Sequence, residues 1–149
     1  MGFERDIATA AEMEALGAAV GARLRPGDAV CLNGPLGAGK STLARGLIRS
    51  LTTADEEVPS PTFTLVQLYA GPNFSISHFD LYRLKTADEA YELGLDEALD
   101  DGAALIEWPQ RLGDAQPTDR LVIEIEIMTD DARRVRFTGH GLWKGRDEF

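Results

Sequence analysis

The segment Gly34-Pro35-Leu36-Gly37-Ala38-Gly39-Lys40-Ser41 joins flexible backbone, one ammonium group and one hydroxyl in the order Gly-x-x-x-x-Gly-Lys-Ser. Glycines let successive N–H groups converge on one anion, and a helix starting there adds its positive end. In that pattern the lysine reaches the β and γ phosphates and the hydroxyl ligates magnesium. Gly37, Ala38, Gly39, Lys40, Ser41 and Thr42 are therefore the expected phosphate cradle, with ATP and Mg2+ as the expected ligands. A glycine-rich turn with a surface lysine is the bland alternative. The apolar run before the motif and the helical pattern after it favour the phosphate site. Binding is not hydrolysis: a second carboxylate must hold the metal and a group must place the water. Glu107 ends the apolar run Ala103-Ala104-Leu105-Ile106, which has the form of a Walker B strand, although a solvated strand-end acid would look the same. Asp80 ends the run 74–79 and fits equally a turn-forming aspartate. Thr62, in Ser60-Pro61-Thr62, stands where nucleotide switches place a loop hydroxyl, and a proline-stiffened loop explains it as well.

These groups need elements to hold them. Thr9 and Glu12 have capping-box spacing, and Met13, Leu16, Val20 and Leu24 follow on one helical face, which predicts a helix over 10–24. Residues 28–33 read as a strand buried on both faces, and 41–51 as the helix growing from the P-loop. Residues 51–61 read as loop. The runs 63–69 and 74–79 flank Ala70-Gly71-Pro72-Asn73 and predict an antiparallel hairpin. Thr86 with Glu89 repeats the capping spacing and starts a helix that Gly94 stops. A strand over 103–106 follows, then a hairpin of 121–128 with 133–138. The whole predicts one α/β domain over 1–149: a P-loop NTPase-like mixed sheet with antiparallel hairpins, flanked by helices.

With 149 residues, 44% of them apolar and 27% charged, the chain has the composition of an ordinary globular protein. No apolar run approaches the roughly 20 residues of a membrane span, and the first residues do not read as a signal peptide, so the cytoplasm is expected. Cys31, the only cysteine, reads as a small buried hydrophobe. His78 and His140 are too far apart in sequence to suggest a metal cluster, and His78 reads as a structural hydrogen-bonding residue. Trp108 reads as a packing residue. The formal charge of −10 is ill suited to gripping a nucleic-acid backbone, which requires Lys and Arg against phosphates. Seven acids and no base lie in 86–101, either a solvated helix face or a surface for a basic partner.

Four stretches together resemble one family. They are Leu-Asn-Gly-Pro-Leu-Gly-Ala-Gly-Lys-Ser-Thr, then Ser-Pro-Thr-Phe-Thr-Leu-Val (60–66), His-Phe-Asp-Leu-Tyr-Arg-Leu (78–84) and Ile-Glu-Trp-Pro-Gln (106–110). In this order they look like the bacterial TsaE proteins, across nearly the whole chain. The resemblance implies an ATPase required for N6-threonylcarbamoyladenosine at position 37 of tRNAs that read codons beginning with A. It implies work with TsaB and TsaD, TsaD carrying the threonylcarbamoyl transfer, and contact with tRNA only through that complex. It also implies that Ser41 and Glu107 hold magnesium, directly or through water, and that Asp80 and Thr62 belong to the catalytic or switch apparatus. Thr9 and Arg133 would reach the nucleotide, although a helix cap and a strand-end salt bridge explain them equally well. Pro35 and Ser41 depart from the Asp and Thr common in the family. Ser can perform the same magnesium role, and Pro35 lies at the loop's first turn, where a missing N–H is tolerated.

Two other classes fit a P-loop. A small-molecule kinase commonly carries an arginine-bearing lid, yet Arg111 is the only base between Lys85 and Arg120. A non-hydrolysing nucleotide-dependent adaptor would bind ATP without faster turnover when partners are added. A GTPase is disfavoured because no Asn-Lys-x-Asp or Thr-Lys-x-Asp is present to read guanine.

Overall fold

The computed structural model describes residues 2–59, 61 and 64–149. Thr62, expected in the site, and its neighbours Ser60 and Phe63 lie outside them. Seven strands form one sheet in the order β1-β7-β6-β2-β5-β4-β3. Its centre is parallel: β2 (Ala29–Asn33) lies between β6 (Arg120–Ile127) and β5 (Gly102–Glu107), and β5 pairs β4 (Ser75–Asp80). Both flanks are antiparallel, with β3 (Val66–Ala70) on β4, and β7 (Arg133–His140) between β6 and β1 (Gly2–Ile7). The expected mixed sheet with two hairpins is therefore present. Ala29 to Leu32 and all of β5 are buried, as their unbroken apolar runs require of strands covered on both faces. Burial pushes the Cys31 thiol up to about 12.

Strand parity sorts the side chains between the two faces. Val30, Leu32, Ile76, Ala103 and Leu105 meet α1 (Ala10–Arg23) and α2 (Lys40–Leu51) on one side. Cys31, Phe79, Ala104 and Ile106 meet α3 (Ala87–Glu92) and α4 (Leu95–Asp101) on the other. α1 starts as its sequence predicts: the Thr9 hydroxyl accepts the Glu12 N–H at 3.1 Å, and the Glu12 carboxylate accepts the Ala8 N–H at 2.9 Å. The two helices touch backbone to backbone. A Cβ on Gly46 would lie 2.0 Å from the Glu14 carbonyl oxygen, and one on Gly17 2.1 Å from that of Leu43. This contact fixes α2, and with it the loop that precedes it.

Three expectations need correction. β1 was not foreseen, because only Ile7 of its side chains is buried and no apolar alternation marks it. It is held instead by ion pairs across the edge, Arg136 to Glu4 at 2.6 Å and Arg134 to Asp6 at 3.0 Å. Gly94 ends α3 but also opens α4, a second helix that the sequence reading lacked; its φ of 97° lets the chain turn and restart. The Thr86 side chain makes no capping bond, so spacing alone did not make a capping box there.

Candidate functional site

The parallel strands run the same way, so their carboxyl ends open on one edge of the sheet, the usual ligand position in such folds. β2 ends there in the P-loop, β4 in Asp80 and β5 in Glu107. Register places Asp80 directly opposite Glu107. By parity with Ile76 and Leu105, both acids project to the α1–α2 face, the side on which the P-loop helix lies. Lys40, Ser41, Asp80, Tyr82, Glu107 and Trp108 line one cleft together with the loop glycines.

The loop geometry suits an anion. Gly37 and Gly39 have φ of 81° and 110°, values that side chains with a Cβ rarely adopt. The Ala38 N–H donates to the Pro35 carbonyl at 3.1 Å, a tight turn in which the missing Pro35 N–H costs no bond. Gly39 caps α2, and no side chain among the described residues caps that helix. Its first N–H groups are thus left for a ligand.

Arg133 braces this loop from the other side. Its Nε donates to the Ala38 carbonyl at 3.1 Å and its Nη2 to that of Gly37 at 3.3 Å, while Nη1 donates to the carbonyls of Thr129, Asp130 and Ala132. A trans peptide sets its C=O and N–H on opposite sides. Holding the Ala38 carbonyl toward Arg133 therefore turns the Gly39 N–H away from it. Arg133 also borders a second cavity with Ile7, Thr9, Met13, Gly37 and Thr42, across the loop from the acids. Thr9 accepts the Glu12 N–H, so its hydroxyl hydrogen remains available to donate into this cavity.

At the cleft mouth, Trp108 sits in the left-handed region with φ 60° and ψ 49°. That turn, followed by Pro109, puts the indole beside the Tyr82 ring, with centroids 4.8 Å apart. The Lys40 ammonium lies 5.0 Å from the indole centroid, a cation–π contact that holds the lysine in the cleft. Trp108 packs as its sequence suggested, against Tyr82, and it also meets the P-loop lysine. Asp80 folds the chain after β4: its Oδ1 accepts the Tyr82 N–H at 3.0 Å. The turn role and a place in the cleft coexist in one residue.

The oxygen donors lining the cleft include the Ser41 hydroxyl and the Asp80 and Glu107 carboxylates. Hard oxygen ligands of this kind suit magnesium, which binds few protein groups and keeps several waters. His78 and Glu107 form a contact that the sequence reading missed, with Nε2 to Oε2 at 2.7 Å and both side chains buried. Its only signal was His78 two residues before Asp80, which strand parity puts on the same face. Pairing with β5 was needed to reveal the partner.

A family model described as threonylcarbamoyl adenosine biosynthesis protein TsaE matches residues 7–135. The TsaE protein of Rickettsia bellii is 42% identical over 120 residues, 80% of this chain and 83% of that protein. That of Bacillus subtilis is 37% identical over 131 residues, 87% of this chain and 81% of its own. The crystal structure of Bacillus subtilis YdiB superposes with a TM-score of 0.80 at 30% identity, over 98% of this chain and 90% of that one.

Proposed function

The chain belongs to the TsaE family of tRNA threonylcarbamoyladenosine biosynthesis, and from that premise we propose that it is the family's ATP-binding and ATP-hydrolysing component. The reading rests most on one observation: a left-handed glycine loop, Lys40, Ser41, Asp80 and Glu107 border a single cleft. Lys40 and the amides of Gly39 to Thr42 would hold the β and γ phosphates. Lys40 already points into the cleft, so binding exchanges an indole face for a phosphate. Ser41 and Glu107 would hold magnesium, directly or through water, and Asp80 would help place the attacking water. Magnesium, when bound, offsets charge on the β and γ phosphates as the bond between them breaks. Water's oxygen joins the γ phosphorus, the bridging oxygen leaves with ADP, and the proton passes to the released phosphate or to solvent. Thr9 and Arg133 border the cavity across the loop, on the side assigned here to the nucleoside. Thr62 keeps its place in the switch apparatus on the strength of the Ser-Pro-Thr-Phe resemblance alone.

The proposed setting is the cytoplasm, with TsaB and TsaD as partners and tRNA met only through them. The net charge of −10 favours protein partners over direct contact with tRNA. Incubation with γ-labelled ATP and the partners tests the chemistry. Label released as inorganic phosphate is the expected outcome; label carried by a small acceptor would make the chain a kinase instead.

A further inference from the structure

We infer that His78 is a positioning residue for Glu107: it holds one carboxylate oxygen so that the other is presented to the metal side of the cleft. The inference rests on the proposed role of Glu107 and extends it to a residue outside the P-loop and acid set.

The geometry is specific. His78 sits opposite Leu105 and Glu107 opposite Asp80, so His78 and Glu107 are diagonal neighbours on one face of adjacent parallel strands. Their side chains meet at 2.7 Å, within the range of a charge-assisted hydrogen bond. His78 is 2% exposed and Glu107 8% exposed, so water does little to loosen the pair. An ionised carboxylate only accepts, hence His78 Nε2 carries the hydrogen and donates it to Oε2. The other ring nitrogen, Nδ1, is buried without a hydrogen-bond partner among the described residues. Among the described residues, the His78 ring therefore makes its one hydrogen bond to Glu107. Glu107 Oε1 has no hydrogen-bond partner among the described residues, and Glu107 lines the cleft.

A glutamate has three side-chain torsions, and an unbraced carboxylate would sample several orientations beside Ser41. Fixing one oxygen reduces that freedom before a metal arrives, as partners of metal-binding side chains commonly do. A purely structural histidine in a strand would find a backbone carbonyl or a water. This one is joined to the acid that terminates the neighbouring strand.

Gln and Asn separate reach from polarity at position 78. The amide NH2 of Gln can stand where Nε2 stands, whereas Asn carries the same group but falls short of Glu107. ATP affinity is measured by calorimetry with magnesium and again with excess EDTA, for wild type, His78→Gln and His78→Asn, with thermal melting of each. Magnesium should tighten ATP binding in wild type and His78→Gln. In His78→Asn that tightening should fall by about tenfold or more while metal-free affinity stays within about twofold. If His78→Asn does not fold, His78→Leu, similar in bulk, takes its place in the same comparison. Equal magnesium tightening in all folded variants would overturn the assignment of His78 and leave the ATPase reading standing. A loss of metal-free affinity as large as the loss with magnesium would overturn it in favour of a structural role. Wild-type affinity indifferent to magnesium would overturn both readings at once.

Discussion

Arg133 shows how one side chain can brace the glycine loop proposed to hold phosphate without facing it from the same side as the lysine. Its guanidinium spends donors on the Gly37 and Ala38 carbonyls and on the turn at 129–132. The loop is thus tied to the β6–β7 hairpin, far from it in sequence. Hydrogen bonds from a charged donor each contribute about 1.5–3 kcal/mol. Replacing Arg133 with Ala should weaken ATP binding by about tenfold, because the loop must then be ordered by the ligand itself. Calorimetric titration of Arg133→Ala checks this, and unchanged affinity would show that the loop holds its shape unaided. The sequence motif named the lysine and hydroxyl because their chemistry is local. Arg133 was suggested by the family resemblance alone, since a strand-end arginine reveals nothing of the carbonyls it will find.

At the scale of elements, the site depends on how closely α1 and α2 approach. Gly46 lies against the Glu14 carbonyl with no room for a methyl group. Gly46→Ala should destabilise the protein by about 1–3 kcal/mol through overpacking, despite the better helix propensity of alanine. A melting temperature lower by several degrees is the expected outcome; a rise would mean that the helices part without cost. The helices and strands with apolar periodicity were legible in the sequence: α1, β2, α2, β5 and both hairpins. Charged β1 was not, because its stability comes from Arg134 and Arg136 on a strand distant in sequence. α4 was hidden by Gly94, which reads as a stop while it also permits a restart. For the site, the P-loop and both strand-end acids were legible as residues. The resemblance implied that Ser41 and Glu107 meet at one metal, whereas the His78–Glu107 contact was not legible, since the two residues are 29 apart and meet only through the β4–β5 register.

For the whole molecule, the net charge of −10 bears on the proposal that tRNA is met only through protein partners. The acids of 86–101 lie on α3 and α4, across the sheet from the P-loop helix, and most are exposed. The isolated chain should show no measurable tRNA affinity at physiological salt, and a tight complex in a filter-binding assay would contradict this. No helix among the described residues is long and apolar enough to cross a membrane. Membership in the TsaE family joins this architecture to threonylcarbamoyladenosine biosynthesis, and the cleft supplies the chemistry proposed for it. The most direct test of that proposal is steady-state phosphate release from ATP with magnesium, measured for wild type and Glu107→Ala, alone and with TsaB and TsaD. Wild type should turn over slowly alone and faster with the partners. Glu107→Ala should be at least about a hundredfold slower under both conditions while still binding ATP. Turnover by Glu107→Ala equal to wild type, or no response of wild type to the partners, would contradict the account.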